Sequence, residues 1–474
     1  MASPLLVLQH MDPNQALQQV VGQVHAARAR SDLPHAARLR HIFELDKAVQ
    51  RQARTALERY LSLSATLSPA RHGLWQIVRR CWGELFETYA ESLMAVEADT
   101  EALARSEIAE LSIRAIRAGT QCIKWDAFQH GPIQPNTWAV LNQAYRLALL
   151  ADVAQRNVQL RSDRGTESTV EREYLRALAF NSLGVDQLDA FRLEVSSRLI
   201  QYVLPYLELT EHADAASLQW VDLSGPEAPA RLVRRPATLG LARFFSGTVA
   251  SGPLQDMLEQ VASGKIPAPL ISAGQVDASG GKVASALSHM IRCWSSEPPV
   301  RRHRRHPLPG TMLVVPGLQQ FALRLAGDPR ARAPHAWQLQ DASLQGIGAD
   351  ARLDEASDLA VGTLLGMHMP DSATWRVGAV RRVWRSTPGM GRVGVELLGG
   401  TPVAAMADDG AGELSVVVLD APRRGQPTRV LVPGAGLRAN TPIYLLGAAP
   451  LKLSPLSTLE YGTDHEIRMY LCAG

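Results

Sequence analysis

The chain of 474 residues lacks several features that would assign it to an obvious class. Its four cysteines, Cys81, Cys122, Cys293 and Cys472, form no CxxC pair and have no histidine at ligand spacing, so we expect buried thiols and no metal site. No apolar run approaches the roughly 20 residues of a membrane-spanning helix, and the N-terminus lacks the basic and apolar segments of a secretory signal. We therefore expect a cytoplasmic protein without membrane insertion.

Lysine is also scarce, and the total charge is nearly balanced. Only five of the 49 basic residues are lysines, and the formal net charge is +3. Such a balance gives the whole molecule no electrostatic reason to bind DNA or RNA, and neither is expected as a partner. With 46% hydrophobic and 20% charged residues the composition is that of a globular chain. At roughly 150 residues per domain, two to four domains are expected.

The first part of the sequence has helical periodicity. From about residue 33 to 210, apolar residues return every three or four positions, and breaks fall at Pro69, Pro132 and Pro205. This pattern predicts a helical domain over residues 1–210, as a bundle or a short solenoid. One stripe consists of Leu74, Ile77, Val78, Cys81, Leu85, Tyr89 and Leu93. The tryptophans expected in the helical core are Trp75, Trp82, Trp125 and Trp138.

The second part changes its period. Residues 211–296 are interpreted as a connecting region of short strands with two helices, over 238–263 and 281–295. After about residue 311 the period is two, in runs such as TMLVV, QQFALRL, WQLQ, TLLGMHM and RVGVELL, which we interpret as strands. We predict a small antiparallel β-barrel over 297–405. The β-rich extension over 406–474 is either a second β-unit or extra strands. The expected fold class is multidomain α + β.

Two short motifs flank the start of this β-region. RRHRR at 301–305 contains Arg-x-x-x-Arg, and DASLQG at 341–346 contains Asp-x-Ser-x-x-Gly. Together with the closing strand GRVGVELL, and in this order, they resemble the signature of PilZ domains, the bacterial receptor family for cyclic di-GMP. The resemblance implies a PilZ-like barrel that binds this nucleotide. The implied binding residues are Arg301, Arg302, Arg305, Asp341, Ser343 and Gly346.

The residue types suit the ligand that the resemblance implies. A guanidinium can donate two parallel hydrogen bonds to guanine or phosphate, and its flat face can stack on a purine. Asp341 can accept from the N1 and N2 donors of guanine. Ser343, two positions further along the predicted strand, would offer a hydroxyl on the same face. Gly346 would permit a tight turn or a close backbone approach to the ligand.

The resulting hypothesis is a non-enzymatic effector that binds cyclic di-GMP, needs no other cofactor and signals to a protein partner through its helical domain. The linker over 297–310 would become ordered around the ligand. By resemblance, the output would be motility, pili or surface polysaccharide. Two alternatives stay open, a nucleotide-free PilZ-like scaffold and a nucleic-acid-binding module that uses RRHRR. The oligomeric state is not predicted.

Other motifs do not favour catalysis or metal binding. Ser279 and Lys282 form a Ser-x-x-Lys pattern, but neither SDN nor KTG accompanies it. The same stretch does not match a phosphate loop, because Val276 stands in place of the first glycine. His303 and His306 are three residues apart without further ligands nearby.

Overall fold

The computed structural model describes residues 8, 10–63, 69–99, 103–160, 167–233, 241–271, 280–297, 303–353, 359–370, 372–387, 389–434, 437, 440–447 and 450–473. The chain divides into two compact units. The first consists of Met1–Gln129, Ile133–Val185 and Ala190–Pro299, and the second of His130–Pro132, Asp186–Asp189 and Val300–Gly474. Within the described residues no helix is long and apolar enough to cross a membrane.

The first unit is mainly a bundle of amphipathic helices around a central helix. The helices are α1 (Pro13–Arg28), α2 (His35–Ser62), α3 (Pro69–Ala98), α4 (Arg105–Ala127), α5 (Thr137–Leu150), α6 (Val170–Asn181) and α7 (Ala190–Val203). Helix α4 is buried on all its faces and packs against α3, α5 and α6. A helix that is buried all round requires neighbours on every side, so this region is a bundle rather than an open solenoid.

Charged side chains cross-link the bundle in its interior. Arg114 of α4 donates to Asp46 of α2 at 2.7 Å, and the Tyr89 hydroxyl of α3 donates to the same carboxylate at 3.0 Å. Lys124 of α4 pairs with Glu194 of α7, and both side chains are buried. Buried charges are tolerated only when they are paired and hydrogen-bonded, so these contacts fix how the helices face each other.

The rest of the first unit contains short strands and three further helices. A hairpin joins β1 (Val158–Gln159) to β2 (Glu167–Ser168), and a four-stranded antiparallel sheet has the order β3 (Leu209–Thr210), β6 (Ala242–Phe245), β4 (Gln219–Asp222) and β5 (Ala230–Arg231). The helices are α8 (Ser251–Ala262), α9 (Ala268–Ile271) and α10 (Gly280–Cys293). The predicted helix over 238–263 is therefore wrong over β6, where all four residues are buried in the sheet between β3 and β4.

The second unit begins with a closed six-stranded antiparallel barrel. Its strands are β7 (His306–Pro316), β8 (His335–Ala342), β9 (Gly346–Arg352), β10 (Leu364–His368), β11 (Arg376–Thr387) and β12 (Met390–Leu397). Around the barrel they run β10-β11-β12-β9-β8-β7. Alternate side chains fill the interior, among them Met312, Trp337 and Val393. The predicted small barrel is confirmed.

One segment between β7 and β8 differs from the prediction. QQFALRL is not a strand but part of helix α11 (Leu318–Leu325). Leu318, Phe321 and Ala322 are spaced three and four residues apart, and they bury one helical face against strands that follow the first barrel. The apolar run is too short for its period to distinguish a helix from a strand, and this tertiary contact determines which one forms.

The final strands form a second closed barrel rather than extra strands on the first. They are β13 (Val403–Asp408), β14 (Glu413–Val418), β15 (Pro427–Pro433), β16 (Ile443–Leu445), β17 (Leu451–Tyr461) and β18 (His465–Cys472), in the order β13-β14-β15-β18-β17-β16. Helix α11 packs against β13, β14 and β15. The multidomain α + β prediction is confirmed.

Candidate nucleotide-binding site

The aspartate of the second motif, Asp341, lies near the end of β8, and a β-bulge decides which way it points. Leu339 pairs with Ala349 of β9 and faces the interior, whereas Asp341 pairs with Gly348. Gln340 is the extra residue between these two pairs. Strict alternation would turn Asp341 into the barrel, but the inserted residue turns it to the outer face. The bulge thus exposes a carboxylate that the sequence pattern alone would bury.

An arginine from the segment before β7 already contacts this carboxylate. Arg305 Nη1 donates to Asp341 Oδ1 at 2.5 Å. On the opposite side, Arg392 of β12 approaches Asp341 Oδ2 with Nη2 at 3.2 Å and Asp350 Oδ1 with Nη1 at 3.4 Å. Gln340 also donates to Asp350 Oδ2 at 2.8 Å. Two guanidinium groups and two carboxylates therefore form one surface network across three neighbouring strands.

Glycines under this network leave room for the arginine. An added Cβ at Gly348 would lie 2.7 Å from Asp341 Oδ1 and 3.0 Å from Arg305 Nη1, so no other residue fits without displacing the ion pair. At Gly346 a Cβ would meet the Val395 carbonyl oxygen at 3.2 Å. Both glycines are on the outer face of β9 and bring the backbone close to whatever covers it. Both glycines are buried in the structure, and Gly348 lies directly under the Arg305–Asp341 pair, so a planar group could contact this glycine floor only after Arg305 moves.

Ser343 contributes in a different way from the one predicted. Strand β8 ends at Ala342, so strand alternation does not set the direction of Ser343. Its backbone N–H donates to the Gly346 carbonyl at 2.7 Å, and its hydroxyl lies 3.3 Å from the same oxygen. Ser343 therefore closes the three-residue turn between β8 and β9.

An open cleft adjoins this turn. It has a volume of about 370 Å³ and is lined by residues of the segment before β7 and of the turn. The lining residues are His303, Arg304, His306, Ala342, Ser343 and Leu344. Leu344 is among the most exposed large apolar side chains of the second unit. The cleft thus combines a cationic side, an apolar tip and the hydroxyl of Ser343.

The structure brings together four of the six residues that the resemblance implied. Arg305, Asp341, Ser343 and Gly346 all lie at the β8–β9 edge of the first barrel. Arg301 and Arg302 lie outside the described residues. Gly348 and Arg392 also belong to the site and were not predicted from the sequence. The alternation Gly346-Ile347-Gly348 was a signal for the first, since two glycines on one strand face leave that face bare.

Comparison with known families gives evidence from a different part of the chain. Residues 4–214 match the family model described as the N-terminal domain of the cyclic-di-GMP receptor FimW. The resemblance to cyclic di-GMP receptors is confirmed. The match covers helices α1 to α7 and not the barrels, so it is independent of the two barrel motifs. A search of curated proteins found no match to the chain.

Proposed function

We propose that this protein is a cyclic di-GMP-binding effector whose first barrel holds the nucleotide at the β8–β9 edge. The observation that carries the proposal is the Arg305–Asp341 pair over the bare backbone at Gly348. It unites a cation that suits phosphate and guanine, an acceptor that suits guanine, and a floor that a flat base can approach once Arg305 moves. The family match of the helical region supports the same ligand.

Binding would exchange partners within the surface network. In the structure each oxygen of Asp341 faces an arginine, at 2.5 Å for Arg305 and 3.2 Å for Arg392. Guanine N1 and N2 donors can replace one of these arginines, and the released guanidinium can then turn to a phosphate or a base face. Arg305 precedes β7, whereas Arg392 lies within β12, so Arg305 is the one free to move with its backbone. The ligand would in this way draw the segment before β7 onto the barrel.

Calorimetric titration of the full chain with cyclic di-GMP tests the proposal. Arg305→Ala and Asp341→Ala should each weaken binding about 10- to 100-fold, the range expected for a lost charge-assisted hydrogen bond. Arg330→Ala is the matched control, because Arg330 pairs only locally with Asp328 in the loop that precedes β8. Absence of binding heat with the wild-type chain at tens of micromolar protein would reject the receptor function.

The downstream output is part of the proposal. A cyclic di-GMP receptor with a large helical bundle would pass the signal to a cytoplasmic protein partner in motility, pili or surface polysaccharide production. A partner could bind to the helical surface of the bundle, and this binding would not require a change in the barrel. Capture of a partner by the full chain should depend on cyclic di-GMP, and Asp341→Ala should abolish that dependence. Equal capture with and without nucleotide would separate partner binding from the ligand.

A nucleotide-free scaffold is the second candidate. It is favoured by the same network, because both oxygens of Asp341 are already engaged by arginines within the barrel. In a scaffold these pairs would serve stability alone. The Asp341→Ala variant would then lower the free energy of unfolding, while the wild-type chain would show no response to cyclic di-GMP.

A further inference from the structure

The second barrel repeats the connectivity of the first, strand for strand. The hydrogen-bonded strand pairs of the first barrel are β7–β8, β8–β9, β9–β12, β12–β11, β11–β10 and β10–β7. Adding six to each strand number gives the strand pairs of the second barrel. The long strand β11 shows two register shifts against β12, and β17 shows two against β18. Shared topology and shared bulge-bearing strands allow positions in the two barrels to be matched.

The register shifts identify which residues correspond. The first shift of β11 precedes the pair Arg382–Gly394, and the first shift of β17 precedes the pair Ser457–Met469. Gly394 of β12 therefore corresponds to Met469 of β18. On the other side of these strands, Gly394 of β12 pairs with Gly348 of β9, and Met469 of β18 pairs with Arg429 of β15. The glycine floor of the first barrel thus corresponds to an arginine and a methionine in the second.

Arg429 occupies this face with its own ion pair. Its Nε and Nη2 donate to the two oxygens of Asp420 at 2.8 and 2.7 Å, and its Nη1 donates to the Leu398 carbonyl at 2.8 Å. Asp420 lies two residues after β14 ends at Val418, whereas Asp341 is within β8, and Asp420 also accepts the Arg429 backbone N–H at 3.1 Å. Asp341 is contacted by Arg305, which precedes the strands, and by Arg392 within β12, whereas the guanidinium that pairs with Asp420 belongs to β15 and cannot leave with a linker.

We propose that the second barrel is a closed copy of the first, in which Arg429 and Met469 fill the face that corresponds to the nucleotide floor. Of the two barrels, as far as the described residues show, only the first has a glycine floor and an arginine supplied by a preceding segment. In the second barrel, the two hydrogen bonds between Arg429 and Asp420 supply the partners for the charged groups on this face. In the first barrel, a ligand would supply such partners. Cyclic di-GMP therefore binds at the first barrel and not at the second.

The binding arm of the test rests on the proposed function. In calorimetric titrations of the full chain, Asp341→Ala should weaken cyclic di-GMP binding about 10- to 100-fold, whereas Asp420→Ala should stay within about twofold of wild type. If Asp341→Ala retains strong binding that disappears on adding Asp420→Ala, the second barrel is open and the inference is wrong.

The pairing arm does not depend on the nucleotide. Asp420→Ala, Arg429→Ala and the double variant form a thermodynamic cycle, measured by hydrogen exchange in peptides of the full chain that contain β14 and β15. A closed face predicts coupling of about fivefold or more in amide protection, since contacting charged residues couple. Strictly additive effects would show that the pair does not close the face. If the wild-type chain binds no nucleotide, the proposed function fails, and this arm still decides the closure.

Discussion

The carboxylate of Asp464 is one of the groups that join the two barrels, beside the Arg381–Glu460 pair and a shared apolar cluster, and its removal makes the most specific stability prediction. Asp464 lies in the turn between β17 and β18. Its Oδ2 accepts the backbone N–H of Leu318 at 2.7 Å, and its Oδ1 accepts that of Leu364 at 3.0 Å. Leu318 is the first residue of α11, whose N-cap Gly317 has no side chain to offer. Asp464 therefore caps this helix from another barrel.

The size of the effect follows from the two bonds. A hydrogen bond to a charged group contributes about 1.5–3 kcal/mol, and partial exposure of Asp464 favours the lower end. Asp464→Ala should thus cost about 3 kcal/mol, because both backbone donors lose their acceptor. Asp464→Asn retains one acceptor oxygen and should cost about half as much. Thr463→Ala removes one neutral bond to the Val361 carbonyl and should cost about 1 kcal/mol.

Hydrogen exchange of the full chain is the suitable assay, because a chain of two compact units has no single melting temperature that reports the barrels. A loss of about 3 kcal/mol lowers amide protection about 100-fold, and it should appear in peptides that contain α11 and β10. Asp328→Ala, in an exposed loop, should leave that protection unchanged. Equal effects of Asp464→Ala and Asp328→Ala would refute the capping role.

Three further predictions concern the ligand floor and the helical unit. Gly348→Ala should weaken cyclic di-GMP binding about tenfold in calorimetry, since its Cβ would lie 2.7 Å from Asp341 Oδ1, while the melting of the helical unit stays unchanged. Burial tends to raise the pKa of Glu173, but its arginine neighbours and Ser168 lower it to about 2. Because the pKa of Glu173 is lower in the folded than in the unfolded state, its ionised form contributes about 3 kcal/mol to the free energy of unfolding above pH 4.5, and this contribution is lost towards pH 2. Glu173→Gln should flatten this pH dependence of the free energy of unfolding in urea titrations. Lys124→Met should destabilise the helical unit by less than the roughly 3 kcal/mol of an uncompensated buried charge, because Arg198 still donates to Glu194 at 2.6 Å; adding Glu194→Leu should restore little of this loss in hydrogen exchange of α4 and α7, since it leaves Arg198 without this carboxylate.

The sequence alone predicted the features whose hydrophobic periodicity continues over many residues. Thirty-residue amphipathic stretches predicted the helical unit, and alternation after residue 311 predicted a barrel. Short segments were not predictable in this way. The strand β6 and the helix α11 are each apolar enough to fit both periods, and the contacts that decide between them come from β3 and β4 in one case and from the second barrel in the other.

The candidate site shows the same division between local and non-local information. Asp341 and Arg305 are 36 residues apart, and only family resemblance linked them before the structure was known. The outward direction of Asp341 depends on the bulge at Gln340, which no alternation rule places. Arg392 is one of many arginines in a lysine-poor chain, so the composition of the chain gave no reason to select this arginine as a site residue. It joins the site because β12 pairs with β9, opposite Asp350.

The comparison of the two barrels explains why one fold can have different roles in the same chain. In each barrel an aspartate at or just after the second strand contacts a strand arginine, Arg392 for Asp341 and Arg429 for Asp420. The difference is that Asp341 also contacts Arg305, which comes from a segment before the first strand. An arginine on a preceding segment can be exchanged for a ligand, and the exchange moves the segment, whereas an arginine within a strand remains in place. On the proposed function, the additional guanidinium of Arg305 would allow the first barrel to respond to a nucleotide, whereas Arg429 keeps Asp420 paired within the second barrel.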